Sequence, residues 1–117
     1  MPPLFLILLS VILGSGAQIA FKIGVLNAAP LKFDIPGVIA LLGSPYIIGG
    51  LTAFAASFFL WLKVLATVPL SYAYPMVSLG YVFIFLYSWR YLGENLPALR
   101  VAGLVLIVTG IFFIARS

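Results

Sequence analysis

The stretch VAGLVLIVTGIFFIA, residues 101–115, decides the architecture. It carries no charge, and it lacks the alternation of polar and apolar residues that a lipid-facing barrel strand requires. Inside a bilayer the backbone must satisfy its own hydrogen bonds, which leaves helices and closed barrels as the only spanning structures. A helix is the one that fits. Working outward, four such apolar runs cover residues 4–25, 46–66, 70–92 and 98–115. At about 20 residues per crossing, the 117 residues hold four spans with short connections, so the expected fold is an all-α membrane protein forming a single transmembrane domain over residues 1–117. The first run lacks the basic leader of a secretory signal and is followed by three more, so it reads as a retained helix.

Composition agrees. The chain is 65% hydrophobic and 7% charged, against roughly 45–50% and 25% in soluble domains, so no folding of it yields a water-facing surface. With no Cys and no His, disulfides, thiolate or imidazole metal sites and Ser-His-Asp catalysis are excluded. No cofactor, metal or enzymatic role is expected. The net charge of +4 comes from cations scattered singly along the chain, which suits anchoring at a membrane interface rather than nucleic-acid binding. Lys22, Lys32, Arg90 and Arg100 lie on the side of connections one and three, and Lys63 and Arg116 on the side of the termini and connection two. That bias favours cytoplasmic connections one and three.

The connections are punctuated by local chemistry. Pro69 and Pro97 stand in the first turns of spans three and four, where a missing N–H is harmless. In the longer first connection, Asp34 is a candidate N-cap, Pro36 suits a first turn, Val38 to Leu42 is apolar and Gly43 is a stop signal. A short helix on the membrane surface is expected there, with an irregular packed loop as the alternative.

Two sets of polar residues fall inside the spans. On span three, taken as one continuous helix at about 100° per residue, Ser71, Tyr74, Ser78, Tyr81, Ser88 and Trp89 share about a third of the circumference. Tyr72, Tyr87 and Arg90 lie off this stripe. Pro75 breaks the hydrogen bond to the Ser71 carbonyl and predicts a kink. Hydroxylated residues can serve close helix packing, but tyrosines are too bulky for that and need hydrogen-bond partners. On span one, Ser10, Gly14, Gln18 and Lys22 repeat every four residues. Lys22 reads either as a snorkelling anchor or as a cation facing a cavity. Lys63 reads as an anchor, and Arg90 with Glu94 as a weak surface pair. Gly103 and Gly110, seven apart on span four, offer a face for a second copy. Four short helices enclose little space, so a sizeable cavity is expected between two copies.

The chain resembles a four-helix member of the drug/metabolite transporter superfamily, of the small multidrug resistance kind. The resemblance rests on Gln18 with Lys22, on Ser57 to Leu62, on Val68-Pro69-Leu70-Ser71-Tyr72-Ala73-Tyr74-Pro75 through Ser78-Leu79-Gly80, and on Leu92-Gly93-Glu94. The drug exporters of that superfamily carry an embedded Glu in the first helix, where this chain has Gly14. Neither acid of this chain, Asp34 or Glu94, lies within a span. The resemblance is closer to the acid-free branch, whose paired subunits flip undecaprenyl-phosphate-aminoarabinose. It implies a bacterial inner-membrane flippase for a polyprenyl-phosphate or lipid-linked sugar, working as a homodimer or as a heterodimer with a similar subunit. Gln18, Lys22, Ser71, Tyr74, Ser78 and Tyr81 would line an anion-binding cavity between helices one and three. An exporter of small cations or metabolites and a non-transporting assembly subunit are the competing readings. An intramembrane acid would favour the first of these, and a tightly packed third helix with no cavity the second.

Overall fold

The computed structural model describes residues 3–28 and 32–117. Residues 29–31 of the first connection lie outside the described residues. The described elements are helices: α1 (Pro3–Asn27), α2 (Ile35–Leu42), α3 (Pro45–Thr67), α4 (Leu70–Met76), α5 (Leu79–Arg90) and α6 (Ala98–Arg116). α1, α3, the α4–α5 pair and α6 are each long and apolar enough to cross a membrane. The all-α, four-span architecture follows.

Local sequence explains the boundaries. α2 is a helix, as one of the two readings of its segment expects. Asp34 is extended and its carboxylate accepts a hydrogen bond from the Gly37 N–H at 2.8 Å. Pro36 sits in the first turn, and the Gly43 N–H donates to the Ile39 carbonyl at 3.0 Å. None of its side chains is buried within the chain, the pattern of an apolar helix lying along an interface. Pro69 and Pro97 stand one position earlier than expected. Both are extended N-cap residues rather than first-turn residues, and their carbonyls accept from the N–H groups of Ala73 at 2.9 Å and Val101 at 3.1 Å.

Span three is interrupted just after Pro75. Pro75 has no N–H to give the Ser71 carbonyl, α4 ends at Met76, Val77 and Ser78 form a turn, and α5 starts at Leu79.

Packing centres on α1, which lies antiparallel along α3 and beside α5, while α6 packs on α4 and α5. Lipid is as apolar as any leucine, so helices associate in it by close approach rather than by hydrophobic exclusion. Glycines supply that approach. A Cβ on Gly50 would lie 2.7 Å from the Phe21 ring and 3.2 Å from the Ala17 carbonyl, one on Gly24 would meet Ile47 at 2.7 Å, and one on Gly80 would collide with the Ser15 hydroxyl. The core, formed by Leu6, Ile7, Val11, Val64, Ala73, Met76 and Ile111, sits at the end of the bundle that holds the termini and the α3–α4 connection.

Gly49 and Gly50 separate packing from propensity. A Cβ at Gly49 would meet open space, and Ala exceeds Gly in helix propensity by up to about 1 kcal/mol. Gly49→Ala is expected to leave the melting temperature in detergent unchanged or raised. Gly50→Ala is expected to lower stability by roughly 1–3 kcal/mol through overpacking against Phe21. Equal melting temperatures for the two variants would show that α1 and α3 do not meet at Gly50.

Candidate functional site: a half-open cavity on helix α1

Away from the core, α3 and α5 both lean on α1 but touch each other little. The space left between them is a cavity of about 680 Å³, with α1 as floor and α3 and α5 as walls. A single chain therefore already forms a sizeable cavity, contrary to the expectation that one would need two copies, because its walls diverge instead of closing into a bundle.

All four members of the repeat Ser10, Gly14, Gln18 and Lys22 line this floor. Their four-residue spacing keeps them on one side of α1. Ser10 is already engaged: its hydroxyl donates to the Ser57 carbonyl at 3.0 Å, and the Ser57 hydroxyl donates to the Ser10 carbonyl at 2.8 Å. This reciprocal pair ties α1 to α3 across the cavity. Beside it, a Cβ on Gly14 would stand 3.3 Å from the Ser57 hydroxyl, so Gly14 keeps the cavity open at that level. Gln18 and Lys22, one and two turns further on, are exposed to the space. Both lie toward the end of the bundle that holds the first and third connections.

The α4–α5 wall contributes Tyr74, Tyr81 and Ser88. Ser71 and Ser78 do not line the cavity. Ser71 belongs to a separate depression with Val68, Pro69, Tyr72 and Ser117, and Ser78 lies in the turn between α4 and α5. The lining residues Tyr74, Val77, Tyr81, Ile84 and Ser88 keep one helical face across the interruption after Pro75, and Ser71, Ser78 and Trp89 lie together along the edge of the expected stripe that is turned away from the cavity. Ser88 lies on the cavity while its neighbour Trp89 is exposed on the outside. Tyr87 is also outside, its ring centroid 4.9 Å from that of Tyr91.

Several lining residues were not anticipated. Phe54, Ser57, Phe58 and Trp61 form the α3 wall, and an almost uniformly apolar helix gives no periodicity from which that face could be read. Glu94 also lines the cavity, although it lies beyond α5. Gly93 has φ +70° and the Glu94 N–H donates to the Ser88 carbonyl at 3.1 Å, so the chain turns back over the end of α5. A glycine just past a helix end is the signal for such a reversal. Arg90 is turned toward the Tyr91 ring, 5.8 Å from its centroid. Chemically, the cavity offers a cation, an amide, hydroxyls and a carboxylate among aromatic and aliphatic walls, a set that can hold a polar head-group by hydrogen bonds and charge.

Comparison with known proteins supplies the family. Residues 39–107 match the family described as Small Multidrug Resistance protein. The chain belongs to the Small Multidrug Resistance family. It is 34% identical, over 93% of its own length and 93% of the relative's, to the probable 4-amino-4-deoxy-L-arabinose-phosphoundecaprenol flippase subunit ArnF of Photorhabdus laumondii. It is 39% identical, over 57% of its length and 60% of the relative's, to the probable ArnE subunits of the same kind of flippase from Salmonella paratyphi B and Salmonella typhimurium. No solved structure matches the chain. Its relatives are named as flippase subunits, and this chain is a multi-pass membrane protein of their family rather than an enzyme.

The Ser10–Ser57 pair generates a double-mutant cycle. Interhelical hydrogen bonds in membranes are worth about 0.6 kcal/mol on average and up to about 1.7, and two reciprocal bonds place this pair at the upper end. Ser10→Ala and Ser57→Ala are expected to couple by roughly 1–2 kcal/mol in reversible unfolding from mixed micelles. Strict additivity would mean that the hydroxyls are not bonded to the facing helix.

Proposed function

We propose that the protein is a subunit of a flippase that carries a polyprenyl-phosphate or lipid-linked sugar across the bacterial inner membrane, acting as a dimer with itself or with a similar subunit. The observation that carries this reading is Lys22 beside Gln18 on the floor of a half-open cavity, in a chain with no acid inside its spans. A phosphate cannot cross hydrocarbon with its charge unpaired. Lys22 and Gln18, one turn apart at the end of the cavity that holds the first and third connections, can replace its hydration, and the Tyr81 and Tyr74 hydroxyls offer further partners deeper along the cavity. The cavity of about 680 Å³ matches sites of roughly 300–1,000 Å³ that hold drug-sized ligands. It is large enough for a sugar-phosphate and too small for a long isoprenoid tail, which stays in lipid. The names of the relatives point the same way.

Export of a small cation is the second reading, and the observation in its favour is Glu94 at the cavity, with Tyr74, Tyr81 and Trp61 offering aromatic faces. Lys22 on the same cavity opposes it.

The deciding measurement is flipping of a lipid-linked aminosugar in proteoliposomes. Lys22→Ala is expected to abolish it with expression and assembly intact. Gln18→Leu is expected to reduce it less, since a neutral hydrogen bond has about half the strength of a charge-assisted one. Tyr81→Phe is expected to impair it, and Ser78→Val and Tyr87→Phe, both off the cavity, to leave it unchanged. Wild-type rates with Lys22→Ala would reduce that residue to an interface anchor. For the dimer, Gly103 and Gly110 on α6 are the proposed interface. Their missing Cβ atoms face open space within the chain, so Gly103→Leu and Gly110→Leu should fold normally yet lower the dimer fraction in cross-linking of native membranes. An unchanged fraction in both would move the interface off α6.

A further inference from the structure

Among the described residues that line the cavity, Lys22 and Glu94 are the only two with formal charge. They stand toward the same end of the bundle, because α1 and α5 run in the same direction and Glu94 follows the end of α5. Asp34, the chain's other acid, is occupied in capping α2. Glu94 is exposed and lines the cavity instead. Its place is fixed by backbone geometry: Gly93 at φ +70° reverses the chain, and the bond from the Glu94 N–H to the Ser88 carbonyl holds the residue over a helix end that itself lines the cavity.

A mouth with one cation and one carboxylate is net neutral. It favours neither a simple anion nor a simple cation, and it complements a head-group that carries both charges. We infer that Lys22 and Glu94 act together as a reader of zwitterionic head-groups, Lys22 taking the phosphate and Glu94 a protonated amine on the attached sugar, so that the cavity selects aminated lipid-linked sugars over otherwise equal ones without a charged amine. This rests on the flippase reading and adds to it a specificity-determining residue. Phe54, on the cavity wall with its ring centroid 6.4 Å from that of Phe21 next to Lys22, gives the mouth an apolar side that strengthens polar contacts there.

The test uses the purified full chain, in the oligomer in which it is extracted, in nanodiscs and in a Trp89→Phe background. Trp61, on the cavity, is then the sole tryptophan reporter. The probes are a short-chain polyprenyl phosphate bearing 4-amino-4-deoxyarabinose and the same lipid with its amine acetylated. The aminated lipid is expected to bind roughly tenfold more tightly, the scale of one charge-assisted hydrogen bond. Glu94→Gln is expected to erase that preference by weakening the aminated lipid alone. Lys22→Gln is expected to weaken both lipids and keep the preference. Gly93→Ala, which puts a Cβ on a left-handed residue and displaces Glu94, should reduce the preference while leaving affinity for the acetylated lipid intact. A preference that survives Glu94→Gln, or equal binding of the two lipids to the parent, overturns the inference and leaves the flippase reading standing. Binding of neither lipid to any variant overturns both.

Discussion

The close contact of α1 with α3 is the constraint on which the rest of the molecule depends. In lipid, two helices gain nothing by hiding apolar surface from water, so they stay together only where backbones approach and polar groups pair. Gly50 under Phe21, Gly24 under Ile47 and the reciprocal Ser10–Ser57 bonds supply both conditions along one seam. With α1 held there, its next face meets α5 through Gly80 and Ser15. The remaining side, bearing Gln18 and Lys22, is left as the floor of a cavity. The site is what remains of α1 after its packing is satisfied on two sides.

The polar groups of the bundle consequently divide into two kinds. Among the described residues, no buried side-chain nitrogen or oxygen lacks a hydrogen-bond partner, and Ser10 shows why: its hydroxyl is used by the fold. Gln18, Lys22 and Tyr81 face the cavity instead, exposed, where only water, a head-group or a partner subunit can satisfy them. An unpaired polar group in hydrocarbon costs several kcal/mol, roughly 4–8 on the cyclohexane scale. The structural hydroxyls can be met within one chain, but those exposed to the cavity require something that enters it.

Much of this was legible in the sequence, and what was missed has specific physical causes. The spans follow from run length, and the cap of α2 from Asp34, Pro36 and Gly43, because each rests on chemistry within a few residues. The four-residue repeat on α1 was readable for the same reason. The α4–α5 wall was only half readable: the hydroxylated residues marked a stripe, but which part of it faces α1 depends on packing, and Ser71 and Ser78 lie on the edge turned away from the cavity. The α3 wall carried no signal, since Phe54, Ser57 and Trp61 lie in a helix apolar nearly all round. Glu94 was hidden because a loop residue's neighbours are set by the turn that precedes it, and the reversal at Gly93 and the bond back to Ser88 are fixed by backbone geometry rather than by a residue pattern.

The same division bears on why a second subunit would be needed at all. α6 exposes most of its large side chains, with Ile111 its one buried residue, and on a soluble protein such a surface would demand a partner. In a bilayer it does not, because leucine and lipid tails are equivalent neighbours. The unmet polar demand lies on the other side of the molecule. A cavity open between α3 and α5 leaves Gln18 and Lys22 beside acyl chains whenever no head-group is bound, and an ionisable group in that setting is tolerated only where it faces protein or water. On the proposed dimer, α6 with Gly103 and Gly110 would supply the contact through close packing, and the polar floor of α1, on the other side, would stay open to a head-group.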